Sequence, residues 1–166
     1  MNLLRFFIIT FILINNVYAA GNVAFINIEF LIQNTNIGKT VIKKIDTNNS
    51  KKTNYLQNRE SELKKKENEI KKKQNIISDD ELKKEIELLK NDVNAYNKEK
   101  QKIVNDLKKF KVEELNLLIS QFNDIINEYM NQNSIDIVLD KKNLYMGKIS
   151  SDITKNIVEQ INEKIK

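Results

Sequence analysis

The chain has 166 residues, three glycines, no proline, cysteine, histidine or tryptophan, and a formal net charge of +5. That inventory excludes a disulfide framework, a zinc cluster, a thiol nucleophile and an imidazole base, so an enzyme would have only carboxylates, lysines, hydroxyls and phenols. With 31% charged residues and almost no turn-formers, the composition reads as long helix.

The chain opens with a basic start ending at Arg5, an uncharged run from Phe6 to Ile14, and then Val17-Tyr18-Ala19. This predicts a signal peptide over residues 1–19, cleaved after Ala19, because Val17 and Ala19 supply the small residues wanted at −3 and −1. The alternative is an uncleaved anchor, but a membrane span needs about 20 apolar residues, and Asn15 and Asn16 interrupt this one. Export predicts the periplasm. Without disulfides, stability there must come from helix seams, a small core or oligomerisation.

Next comes Asn22 to Phe30, a β-type run apolar on both faces. It predicts a strand, either buried between subunits or central in a sheet of its own. Gly38-Lys39-Thr40 resembles the end of a phosphate loop, but Gln33 stands where the earlier glycine belongs, so no nucleotide site is expected.

From Thr40 to Met130 there is no glycine, and two apolar series run at heptad spacing. Leu56, Leu63, Ile70 and Ile77 recur every seventh residue. Leu82, Ile86, Leu89, Val93, Tyr96, Lys100, Ile103, Leu107 and Phe110 alternate steps of four and three, broken only by Lys100. This is a coiled-coil pattern. Ser78 followed by Glu81 is a capping box that starts a new helix, with Asp79 and Asp80 favoured by its positive end. The reading is an antiparallel hairpin arm over 46–110 with its tip near 75–79. Ile77 should face Leu82, Ile70 Leu89, Leu63 Tyr96, and Leu56 Ile103. The remaining seam positions of the rising helix are Lys52, Arg59, Lys66 and Lys73, whose stems can lie along the partner.

Leu115, Leu118, Phe122, Ile125, Ile126 and Tyr129 form a wider apolar face able to pack on Val41, Ile42 and Ile45. Ile135, Ile137 and Leu139 predict a second strand with one apolar face, and Leu144-Tyr145-Met146 a short third one. Ser150-Ser151-Asp152 is expected to cap a last helix with Ile153, Ile157, Ile161 and Ile165 along one stripe. Residues 20–45 and 111–166 would then form a β-rich body. Such a body is small for a stable monomer, which makes it a candidate oligomerisation platform.

The stretch between Thr40 and Phe110 carries the positive excess. Lys64, Lys65 and Lys66 stand one heptad before Lys71, Lys72 and Lys73, and both clusters project near the tip. They would attract anionic lipid, lipopolysaccharide or acidic unfolded chains; the plainer alternative is a solvated charged coil. No nucleic-acid partner is expected, since aromatic interleaving is missing and Arg59 is the only arginine after the signal. No catalytic, cofactor or metal site is expected either. Glu113-Glu114 lie on an apolar-seamed helix, and Asp79-Asp80-Glu81 lack the spacing and glycine of a calcium loop.

The order of parts carries a resemblance. A signal segment, the strand Val23-Ala24-Phe25-Ile26-Asn27, a long basic hairpin, then Ile135-Asp136-Ile137-Val138-Leu139-Asp140 and Ser151-Asp152-Ile153-Thr154 before a short helix: this resembles the Skp/OmpH family of periplasmic chaperones. The resemblance implies an α+β fold, a small sheet body that trimerises with the hairpins hanging from it, and a short C-terminal helix. It implies that Val23, Phe25, Ile26, Ile28, Ile135, Ile137 and Leu139 build the trimer core. It also implies an ATP-independent holdase, not an enzyme and without cofactors, enclosing unfolded outer-membrane proteins between its arms. A lipopolysaccharide site linked to basic residues in the family does not map residue by residue, because lysine replaces arginine here. The rival reading is an exported coiled-coil spacer or adaptor.

Overall fold

A computed structural model describes residues 21–165; the expected signal peptide lies outside the described residues. The elements are strand β1 (Val23–Ile26), helix α1 (Ile28–Asn34), helix α2 (Asn36–Lys73), helix α3 (Asp79–Gln132), strand β2 (Ile137–Asp140) and helix α4 (Thr154–Lys164). Two 3-10 turns, Lys141–Asn143 and Ile149–Ser151, lie between β2 and α4.

The apolar run expected to be one strand from Asn22 to Phe30 divides at Asn27. Its side chain accepts a hydrogen bond from the Phe30 backbone N–H at 3.0 Å, a helix-capping contact that turns the chain out of the sheet. Ile28 is therefore helical. Thr35 then closes α1 and opens α2. Its buried hydroxyl donates to the Leu31 carbonyl at 2.8 Å and accepts from the Gly38 N–H at 3.2 Å. A Cβ on Gly38 would sit 2.0 Å from the Ile32 carbonyl oxygen, so this close approach of two helix ends requires glycine.

Helices α2 and α3 are 38 and 54 residues long and cross residues 45 and 110 without a break. At 1.5 Å per residue, α2 is about 57 Å long. The tip forms where expected. Ser78 caps α3, its hydroxyl accepting from the Glu81 N–H while the Glu81 carboxylate accepts from the Ser78 N–H. After α3, Ser134 adopts a left-handed φ of 53°, which turns the chain into β2.

The sheet is a parallel pair with Val23 beside Ile137, Ala24 beside Val138, Phe25 beside Leu139 and Ile26 beside Asp140. Parallel strands need a long crossover, and here the whole hairpin serves as one. On its other edge β1 meets the start of α4, where the Ile153 N–H donates to the Phe25 carbonyl at 3.1 Å.

Two expectations near the C-terminus are corrected. Leu144-Tyr145-Met146 is not a strand, and Tyr145 and Met146 are almost fully exposed. The α4 start shifts to Thr154, whose N–H donates to Asp152 at 3.0 Å, so Asp152 provides the polar stop from just outside the helix. The body is also mainly helical, since its two strands have four residues each. Its core is built by Leu31, Leu118, Phe122, Ile157 and Ile161, with Ala24, Ile26, Ile125, Ile126 and Ile153 around them.

Candidate functional site

The seam of the arm alternates two kinds of layer. Leu63, Tyr96 and Ile103 are buried, and Leu56, Ile70, Ile77, Leu82 and Leu89 are half-buried, as the expected pairing requires. Between those layers lie charges. Lys66 donates to Asp92 at 2.6 Å and Lys73 to Glu85 at 3.1 Å, both across the hairpin. Tyr55 donates to Glu99 at 2.7 Å. Lys52 and Asp106 border one groove with Tyr55 and Glu99. Arg59 bonds Glu62 on its own helix at 2.9 Å.

Lys52, Arg59, Lys66 and Lys73 thus form a basic row along one edge of α2. Glu85, Asp92, Glu99 and Asp106 form an acidic row at the same seven-residue spacing on α3. The Lys66 hydrogen bond holds the Asp92 carboxyl below its ordinary pKa, and the Glu99 hydrogen bond raises that of the Tyr55 phenol. The acidic row escaped the apolar reading of the sequence, although its heptad spacing was there to be counted.

The opposite edge differs. Ile86 and Val93, expected inside the seam, are 50% and 37% exposed. Glu85 and Asp92 take their seam positions as ion-pair partners of Lys73 and Lys66, and Ile86 and Val93 are left open while Leu107 is half-buried. Lys100, which interrupts that stripe, carries its ammonium 5.9 Å from the Tyr96 ring centroid, a cation–π distance.

The six tip lysines separate into two groups. Lys66 and Lys73 are tied across the seam, and Lys71 bonds Glu67 at 2.6 Å. That contact holds Glu67 below its ordinary pKa. Among the described residues, Lys64, Lys65 and Lys72 make no ion pair and project to solvent. Ile76, at the turn itself, is 82% exposed.

The residues expected to build an assembly core are likewise divided. Ile26 is buried in the core of its own chain, and Ile28 and Ile135 pack against that core. Ile135 was expected on the face of Ile137 and Leu139. It precedes β2, and the turn at Ser134 directs it inward, its N–H donating to the Met130 carbonyl at 3.0 Å. Val23, Phe25, Ile137 and Leu139 remain, and the strand register places them together on the outer sheet face. Val23, Ile137 and Leu139 are exposed there, while Phe25 is covered by Lys141 and the Gly147 loop. Farther along the chain Tyr145, Met146 and Ile149 are strongly exposed as well.

Among the described residues there is no group of acidic side chains arranged to hold a metal. No described helix is long and apolar enough to cross a membrane.

The comparisons with known proteins agree with this architecture. No curated protein matches the chain. The fold is similar to the crystal structure of a candidate outer membrane chaperone (OmpH-like) from Caulobacter crescentus CB15. The TM-score is 0.80 at 18% identity, covering 89% of this chain and 87% of that one. At that identity the likeness speaks for the fold. The family model for outer membrane protein (OmpH-like) matches residues 22–161, nearly all of the described chain, and the protein belongs to that family.

Proposed function

We propose that this protein is a periplasmic, ATP-independent holdase chaperone. It binds unfolded outer-membrane proteins between helical arms and keeps them from aggregating. The observation that carries this reading is the pairing of a bare sheet face with a freely projecting arm. Val23, Ile137 and Leu139 form an exposed apolar surface of the kind that marks an interaction site, and Tyr145, Met146 and Ile149 add exposed apolar side chains later in the chain. A two-stranded sheet is also marginal by itself. Assembly of three chains through that face satisfies both conditions and gathers three arms into one cage. Family membership and the chaperone description of the structurally similar Caulobacter crescentus protein support the same reading.

The body then comprises residues 20–45 and 111–166, the arm residues 46–110, and residues 1–19 direct export. Weak contacts repeated over three arms raise the effective concentration around a captured chain, so retention needs no nucleotide. Lys64, Lys65 and Lys72 supply free positive charge near the tip for acidic clients. The same chemistry admits anionic lipid or lipopolysaccharide.

The test is dilution of a urea-unfolded outer-membrane β-barrel protein into buffer with the mature chain and without nucleotide. Light scattering should be suppressed at near-stoichiometric trimer, and sedimentation should give three chains per particle. A monomer, or undiminished scattering, overturns the proposal in favour of a spacer.

A further inference from the structure

The arm has two unlike edges, and the difference assigns a role to one of them. One edge holds the ion rows, Lys66 against Asp92 and Lys73 against Glu85, and the single exposed apolar residue Leu88 stands beside those pairs. The other carries Ile86 and Val93, half-exposed and two helical turns apart, about 10 Å by the helical rise. A coil that used its whole four-three stripe would bury both residues. We infer that this open edge is the surface on which the arm holds an unfolded polypeptide, in segments where apolar residues neighbour carboxylates. The inference rests on the chaperone reading and names the contact surface within it.

Charge selects the occupant. Lys83 and Lys90 border Ile86 and Val93 along α3 at the same heptad spacing, and among the described residues neither makes an ion pair. On α2 the heptad positions that face this edge hold Glu60 and Glu67, with Lys64 and Lys71 next to them, and Glu67 is already bonded by Lys71 at 2.6 Å. The edge is therefore an apolar strip with a net positive margin, complementary to an acidic apolar segment. A second copy of the arm would bring lysine rows against lysine rows. Its position along the shaft, away from the exposed turn residue Ile76, suits an extended chain lying beside the arm.

The chain contains no cysteine, so single cysteines can carry a photo-cross-linker. Ile86→Cys and Val93→Cys place it on the edge; Asn91→Cys and Asn105→Cys place it on the outward back of the same helix. The probe is a urea-unfolded outer-membrane β-barrel protein of net negative charge, diluted into each labelled full-length mature variant. Cross-linking to the probe should be several-fold stronger from the edge than from the back. An Ile86→Ser/Val93→Ser variant, with helix content checked by circular dichroism, should suppress aggregation several-fold less well than the native chain. Equal cross-linking from both sides, or edge cross-links running between arms, overturns the edge while native aggregation suppression leaves the chaperone reading standing. Failure of the native chain to suppress aggregation overturns that reading itself.

Discussion

Body and arm bury apolar residues on different plans. In the body, Phe122, Leu31, Ile157 and Ile161 have no exposed surface, and helices α1, α3 and α4 enclose them with the sheet. Along the arm a closely covered residue appears only at Leu63, Tyr96 and Ile103, with ionic contacts in the intervals. A two-helix seam offers each side chain one neighbouring wall, so burial is thin and solvent reaches the backbone hydrogen bonds. Local opening free energies track such differences in burial. The body is thereby suited to fix geometry and the arm to yield around cargo.

The sharpest way to break this contrast is Phe122→Ala. Loss of a fully buried ring should cost about 3–5 kcal/mol, read as a large fall in the denaturation midpoint of the whole chain. Leu63→Ala should cost less, roughly 2 kcal/mol at the lower end of such truncations, because an arm can partly close over the gap. Hydrogen exchange should accelerate along the arm amides around Leu63 and Tyr96 and stay unchanged in α4. Equal acceleration in both regions would show that arm and body open as one unit.

Acid should weaken the body joint next. Burial alone would raise the Asp152 pKa, but hydrogen bonds from Thr154 and Lys141 outweigh it and hold the group below its ordinary value of 3.8. A carboxyl depressed in the folded state contributes stability above its unfolded pKa, and that contribution disappears as pH falls through the folded value. Titration should therefore show stability that is flat above about pH 5 and falling below about pH 4. In Asp152→Asn that acid limb should be shallower. The smallest effect belongs to the ion rows. Lys66→Asp should raise amide exchange locally in the arm, most visibly at low salt, and adding Asp92→Lys should restore it. If the swap fails to restore it, the row is not a pairwise contact.

Much of the arm was legible because its signals are local or periodic. Ser78 and Glu81 stand three residues apart, and the buried seam residues recur by sevens. The ion rows were missed because apolar counting ignores charge, and so was the exposed state of Ile86 and Val93 beside them. Errors in the body came from contacts distant in sequence. Asn27 ends a strand that looked continuous to Phe30, and the turn at Ser134 sends Ile135 inward. Nothing in Leu144-Tyr145-Met146 reveals that the segment stays out of the two-stranded sheet. Among the candidate assembly residues, only the parallel register separates outer Val23, Ile137 and Leu139 from inner Ile26.

That register also orders the events of folding. The Asn22 N–H donates to an Asp136 carboxylate 114 residues away, a separation whose closure as flexible chain would cost considerable entropy. The hairpin between them can zip from its capped turn by adding neighbouring contacts, each closing only a short loop. Once zipped, it delivers the start of β2 to the start of β1 as if the intervening chain were short. The arm is thus a folding device before it is a binding one, and the earliest-made strand waits for it.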